Sequence, residues 1–121
     1  MMLLKASKDS EAGVMPSPEL VAEMGKFNEE LVKSGALLDA AGLQASSKGA
    51  RVRFAGNQRK VSEGPFPDPA NLIAGFWMIE VKSKAEAIDW ARRCPHPHPG
   101  SDAEIEIRQV FEPADFADAP E

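Results

Sequence analysis

Apolar and polar positions follow two different periods along this chain. MMLLKA opens with four apolar residues in succession, which predicts a short strand covered on both faces and so central in its sheet. SKDSEAGVMPSP reads as a loop. Beyond it Leu20, Met24, Phe27 and Leu31 recur at steps of 4, 3 and 4, a single stripe on a helix. Glu19, Glu23, Lys26, Glu29, Glu30 and Lys33 occupy the rest of its surface. Ser17 suits the N-cap, Pro18 the first helical position, and Gly35 the left-handed residue that closes the helix.

The period then shortens. ALLDAAGL predicts a second strand or an edge extension, weakened by Gly42. ARVRFA alternates, with Val52 and Phe54 on one face and Arg51 and Arg53 on the other. GNQ is a tight turn and RKVS the returning strand of a hairpin. After the stiff connector VSEGPFPDP, the run IAGFWMIEV is apolar until Glu80, as in a strand buried on both sides. SKAEAIDWARRC predicts a second helix, with Ser83 and Glu86 as a capping box and Ala87, Ile88, Trp90 and Ala91 inward. AEIEIRQVF closes as a strand, Ile105 and Ile107 facing one way and Glu104, Glu106 and Arg108 the other.

The order β-α-β-β(-β)-α-β predicts an α+β domain of the ferredoxin-like, split βαβ kind, with helices on one face of a four-stranded antiparallel sheet. The opposite face then needs cover. Trp77, Ile79 and Val81 share one parity, Phe76, Met78 and Glu80 the other. If the odd set meets the helices, Phe76 and Met78 belong to an apolar sheet face larger than a monomer normally leaves in water. A second copy, closing two sheets face to face, is the economical cover, and a homodimer is expected.

Composition changes this picture little. Of the residues, 43% are hydrophobic and 27% charged, ordinary for one folded domain of this length. No apolar run approaches the roughly 18 residues of a membrane span, and the start lacks the pattern of a secretory signal. Cys94 is the single cysteine, which excludes an internal disulfide and fits a cytoplasmic setting. The net charge of −5 argues against nucleic acid as a partner. Glu112, Asp115, Asp118 and Glu121 carry most of it. Residues 1–112 are therefore read as the domain and 113–121 as a solvated acidic tail.

In these positions MMLLKA, ELVAEMGKFNEELVKSGALLDAAGL, GARVRF, VSEGPF, IAGFWMIEVKSKAEAIDWARRCP and EIEIRQVFE resemble the YCII-related, DGPF-motif family of small bacterial proteins. The likeness runs from about Met1 to Phe111, with Glu63-Gly64-Pro65-Phe66 standing where that family has Asp-Gly-Pro-Phe. It implies a dimeric α+β barrel. A YCII-like branch is thought to use a His–Asp pair between the sheet and the first helix, in one case to eliminate chloride from a chlorinated aromatic. That histidine would fall near Met24, where this chain has none, leaving Asp39 to match the acidic half. The resemblance also admits a regulatory role, since family genes often lie beside those for alternative sigma factors.

Several groups compete as sites. In the connector, Glu63 could line a pocket beside the sheet, or Gly64 could supply a special backbone angle while Pro65 fixes φ and Phe66 plugs the corner. CPHPHPG sets Cys94, His96 and His98 at alternate positions. In extended chain such residues lie roughly 6–7 Å apart, too far to converge readily on one ion, so neither a metal nor another cofactor is expected. Cys94 itself reads as a small buried residue. Lys48, Arg51, Arg53, Arg59 and Lys60 make the hairpin basic, a solvated face or a site for an anion or an acidic partner.

The favoured site is the sheet face away from the helices. There Glu80 and Glu106 are candidate catalytic carboxylates, joined by Asp39, which the resemblance places between the sheet and the first helix. Arg108, Phe76 and Met78, with Glu63 from the connector, are candidates for binding substrate. An apolar pocket with few polar groups is the usual form of a small-molecule site, and a desolvated carboxylate there could act as general base. A structural ion pair or a charged edge strand explains the same residues without a ligand. Two functions follow: a dimer binding a small anionic or aromatic molecule, with lyase or isomerase chemistry, or a non-enzymatic accessory or regulatory protein with a protein partner.

Overall fold

The computed structural model describes residues 1–116. Strand β1 (Met2–Lys5) leads through a one-turn helix α1 (Lys8–Glu11) to helix α2 (Pro18–Ser34) and strand β2 (Leu37–Gly42). The hairpin β3 (Ala50–Ala55) and β4 (Gln58–Glu63) follows, then β5 (Ile73–Ile79), helix α3 (Lys84–Arg93) and β6 (Ile105–Ile107). The main sheet has the order β2-β5-β1-β6 and is antiparallel throughout. With α2 and α3 packed on one face, this is a ferredoxin-like α+β fold.

Helix α2 forms where its stripe and its punctuation predict. The Ser17 hydroxyl accepts from the Leu20 N–H (3.1 Å), and Gly35 closes the helix at φ 80°, a conformation that costs glycine little. Its stripe delivers Phe27 and Leu31 into a core with Met2, Ala36, Trp77 and Trp90. Phe27 meets Trp77 and Trp90 edge-on, with ring centroids 5.9 and 6.2 Å away, an arrangement that adds to simple area burial. The indole N–H of Trp77 donates to Asn28 Oδ1 at 2.8 Å, so this buried ring leaves no polar atom unmet.

Four expectations are corrected in detail. The segment read as a loop contains α1, because Ser7 and Ser10 cap one another across its first turn. At α3, Glu86 N–H donates to Ser83 Oγ, but the Glu86 carboxylate accepts from Lys82 N–H, one residue before the usual capping-box position. The last strand is only three residues long, although the Met1 amine and Arg108 N–H extend its pairing by donating to each other's carbonyl oxygens (2.6 and 2.9 Å). Finally, β3 and β4 form a sheet of their own instead of joining the main one.

That hairpin is exposed along its whole length. Its register pairs Val52 with Val61 and Phe54 with Arg59 on one face, and Arg51 with Ser62 and Arg53 with Lys60 on the other. One face is thus apolar, with the Arg59 guanidinium 4.6 Å from the Phe54 ring centre. The other is basic.

Candidate functional site

Cross-strand register sets which of the predicted residues meet. Glu106 lies opposite Leu3, Leu3 opposite Phe76, and Phe76 opposite Ala41. In the neighbouring row Arg108 faces Met1 through their paired backbones, and Met78 faces Asp39. Directly opposed residues project from the same face. Because Met2, Trp77, Ile105 and Ile107 are turned to the helices, the two rows lie on the open face. The sheet therefore gathers Asp39, Phe76, Met78, Glu106 and Arg108 on one surface, with Leu3 at its centre.

The charges there are organised. Glu106 stands between two cations, with Arg108 Nη1 at 3.3 Å and Lys5 Nζ at 3.6 Å. Lys5 is the member that the strand pattern missed; its place at the end of β1, beside the alternating acids of β6, was the available signal. Arg108 is 72% exposed, so its guanidinium reaches beyond the carboxylate it contacts. On the opposite edge Asp39 Oδ1 accepts from its neighbour's amide, Ala40 N–H, at 2.9 Å. The face thus reads, from edge to edge, as a carboxylate, an apolar middle of Met78, Phe76 and Leu3, and a carboxylate flanked by two cations.

Two candidates lie elsewhere. Strand β5 ends at Ile79, and Glu80 turns into a hollow of about 350 Å³ with Ser34, Gly35, Ala36, Lys82 and Glu86. Its amide donates to Ala36 O at 2.8 Å. Glu80 shares the parity of Phe76 and Met78, but parity counts residues only while the strand lasts. Glu63 ends β4 at the base of the hairpin, apart from the sheet face.

The connector is held by a contact that no local pattern announced. Ser46 Oγ accepts from Phe66 N–H (2.9 Å) and donates to Glu11 Oε1, while Glu11 Oε2 accepts from Ser46 N–H (2.9 Å). Arg51 covers the Phe66 ring at 3.9 Å. Gly64 has no left-handed backbone angle, contrary to expectation. It is glycine because a Cβ would stand 1.7 Å from Ser46 O. The Gly64–Pro65 peptide is cis. Phe66 does close the corner, and Ser46 and Glu11 fasten it.

The histidine-containing loop has separate local partners. His98 Nε2 lies 2.9 Å from Lys5 O, and His96 Nδ1 accepts from His98 N–H at 3.2 Å. The Cys94 thiol donates to Pro95 O at 3.3 Å, and burial pushes its pKa up to about 11. It is therefore protonated and a poor nucleophile near neutrality. A shallow groove of about 340 Å³ runs here between α3 and β6, floored by Ile88, Ala91, Ile105 and Ile107.

The model of the YCII-related domain family matches residues 1–112. This chain is a member of the YCII-related family. Among curated proteins, an uncharacterized protein of Rhizobium meliloti (strain 1021) is 24% identical over 111 residues, spanning 91% of this chain and 85% of that protein. Within the described residues of this YCII-related chain, no helix is long and apolar enough to cross a membrane.

Proposed function

We propose that this protein binds a small anionic or aromatic molecule on the open sheet face, enclosed when two copies pack face to face as a homodimer. The observation that carries this reading is the apolar patch of Leu3, Phe76 and Met78 with acidic and basic side chains at its edges. In a single chain this is a surface. A second sheet would make it a cavity with apolar walls and few charges, the usual form of a small-molecule site. Arg108 would hold an anionic group, and Phe76 and Met78 would pack on a ring. Glu106, next to the anion that Arg108 would hold, is one candidate general base, with Asp39 across the face as the second carboxylate. Proton abstraction beside an anion held by Arg108 is the first step of lyase and isomerase chemistry.

Thermal shift of the purified protein against benzoate, other small aromatic carboxylates and inorganic phosphate tests this. A ligand at 100 times its Kd raises Tm by several degrees in a domain of this size. The shift should vanish in Arg108→Ala and in Phe76→Ala. A ligand whose shift survives both substitutions binds elsewhere and overturns the assignment. Met78→Glu should yield a monomer in sedimentation velocity; a dimer that persists overturns the face-to-face packing.

The accessory or regulatory reading draws on a different observation, the exposed hairpin with its apolar and basic faces. Such a surface suits a macromolecular partner better than a small ligand.

A further inference from the structure

The hairpin and the C-terminal segment both expose aromatic side chains, and they are opposites in charge. On the hairpin Phe54 is 67% and Val61 66% exposed, with Val52 and Arg59 on the same face, while Arg51, Arg53 and Lys60 occupy the other. After β6, Phe111 is 73% and Phe116 56% exposed. Their rings pack on each other, with centroids 5.0 Å apart. Glu112 and Asp115 lie between them, with the Glu112 N–H donating to Asp115 Oδ2 at 2.7 Å to close a compact turn. The hairpin, with four cations against Glu63, and the segment, with Glu112 and Asp115, each set an aromatic ring beside charge, and their net charges are opposite.

Topology keeps the two apart within one chain. The hairpin leaves the sheet at the β2 edge, beyond the row where Gly42 faces Gly75. The C-terminal segment leaves from the β6 edge, at the row of Arg108. These are diagonal corners, separated by about 14 Å across three strand spacings and about 10 Å along the strands. A twofold axis lying between two facing sheets, perpendicular to that diagonal, carries each hairpin onto the other chain's C-terminal segment. The contact is then made twice, as an isologous dimer requires.

We propose that each hairpin receives residues 110–116 of a second copy of this chain, the Phe111–Phe116 pair covering Phe54 and Val61 while Glu112 and Asp115 meet Arg59 on the same face. This placement rests on the face-to-face dimer above but needs no ligand. The hairpin is the arm, and the partner's acidic aromatic turn is what it holds.

Single-cysteine variants in a Cys94→Ala background test it. Phe54→Cys and Phe116→Cys proteins, one of them isotope-labelled, are mixed, treated with a short bismaleimide linker and resolved by mass. Linked heterodimers should exceed either linked homodimer severalfold. Arg59→Glu with Lys60→Glu should cut that yield severalfold, and adding Glu112→Lys with Asp115→Lys to the tail variant should restore it. A dimer in sedimentation velocity that gives no hairpin-to-tail link overturns the proposal and leaves the sheet packing intact. A doubly substituted chain that links within itself at high dilution also overturns it, placing the segment on its own hairpin. Wild-type protein that stays monomeric at all concentrations removes both the packing and the exchange.

Discussion

The main sheet and the hairpin use the same ladder of backbone hydrogen bonds, yet only one of them has an interior. Strand β5 has neighbours on both edges and the helices over Trp77. Strands β3 and β4 have each other, exposed on both faces. A lone two-stranded ribbon is marginal in water. What holds this one is its turn, its cross-strand pairs and the clasp at its base, where Glu11, Ser46 and Arg51 secure the connector. Regular pairing alone therefore does not identify a core, and the more regular of two sheets is here the less buried.

The sharpest test of that contrast is a matched truncation. Leu31 is fully buried, so Leu31→Ala should cost about 2–5 kcal/mol in urea unfolding. Val61→Ala on the hairpin should change the monomer by about 0.5 kcal/mol or less. Equal losses would mean that the hairpin has a hidden intramolecular support. Gly64→Ala comes next, since the added methyl must displace the backbone at Ser46. A cost of about 1–3 kcal/mol is expected, with amide exchange accelerated in β3 and β4 but not in β5.

A smaller effect is expected from Glu11→Gln, which keeps one acceptor but loses the charge beneath Ser46. About 1 kcal/mol, together with faster exchange at Phe66 N–H, would identify the clasp; unchanged exchange there would show that the corner holds without it. The least effect is one of pH. Burial holds the Cys94 proton until about 11 in the folded chain, against an ordinary value of 9.0. Between those values the unfolded chain ionises first, so stability falls as pH rises through the window. Cys94→Ala should flatten that slope. An identical slope in the variant would assign it to other groups.

The helices were legible because their signals are local. Ser17-Pro18 at one end, Gly35 at the other and the stripe between them lie within a few turns. The open face was legible in part: alternation correctly grouped Phe76, Met78, Glu106 and Arg108, since pairing preserves parity. It failed to keep Glu80 with them, because where a strand stops is decided by the helices packed at its end. The Glu11–Ser46 contact spans 35 residues, and nothing in either neighbourhood predicts the other. Likewise, a hairpin pattern shows that two segments pair but not which sheet they join. The predicted acidic tail extends to Glu121, and its final residues, 117–121, lie outside the described ones.

Strands β2 and β5 are antiparallel neighbours, and the Leu43 N–H already donates to Ala74 O at 2.7 Å where they part. Strands so placed can be joined by two residues. This chain instead makes an excursion over residues 43–72, so the domain's topology would survive its deletion. A segment the fold does not require is free to change in length and chemistry without endangering the body that carries it. Relatives can therefore be expected to diverge in the hairpin itself, ahead of the Gly64-Pro65-Phe66 connector, and the hairpin is the natural point at which to graft a different arm.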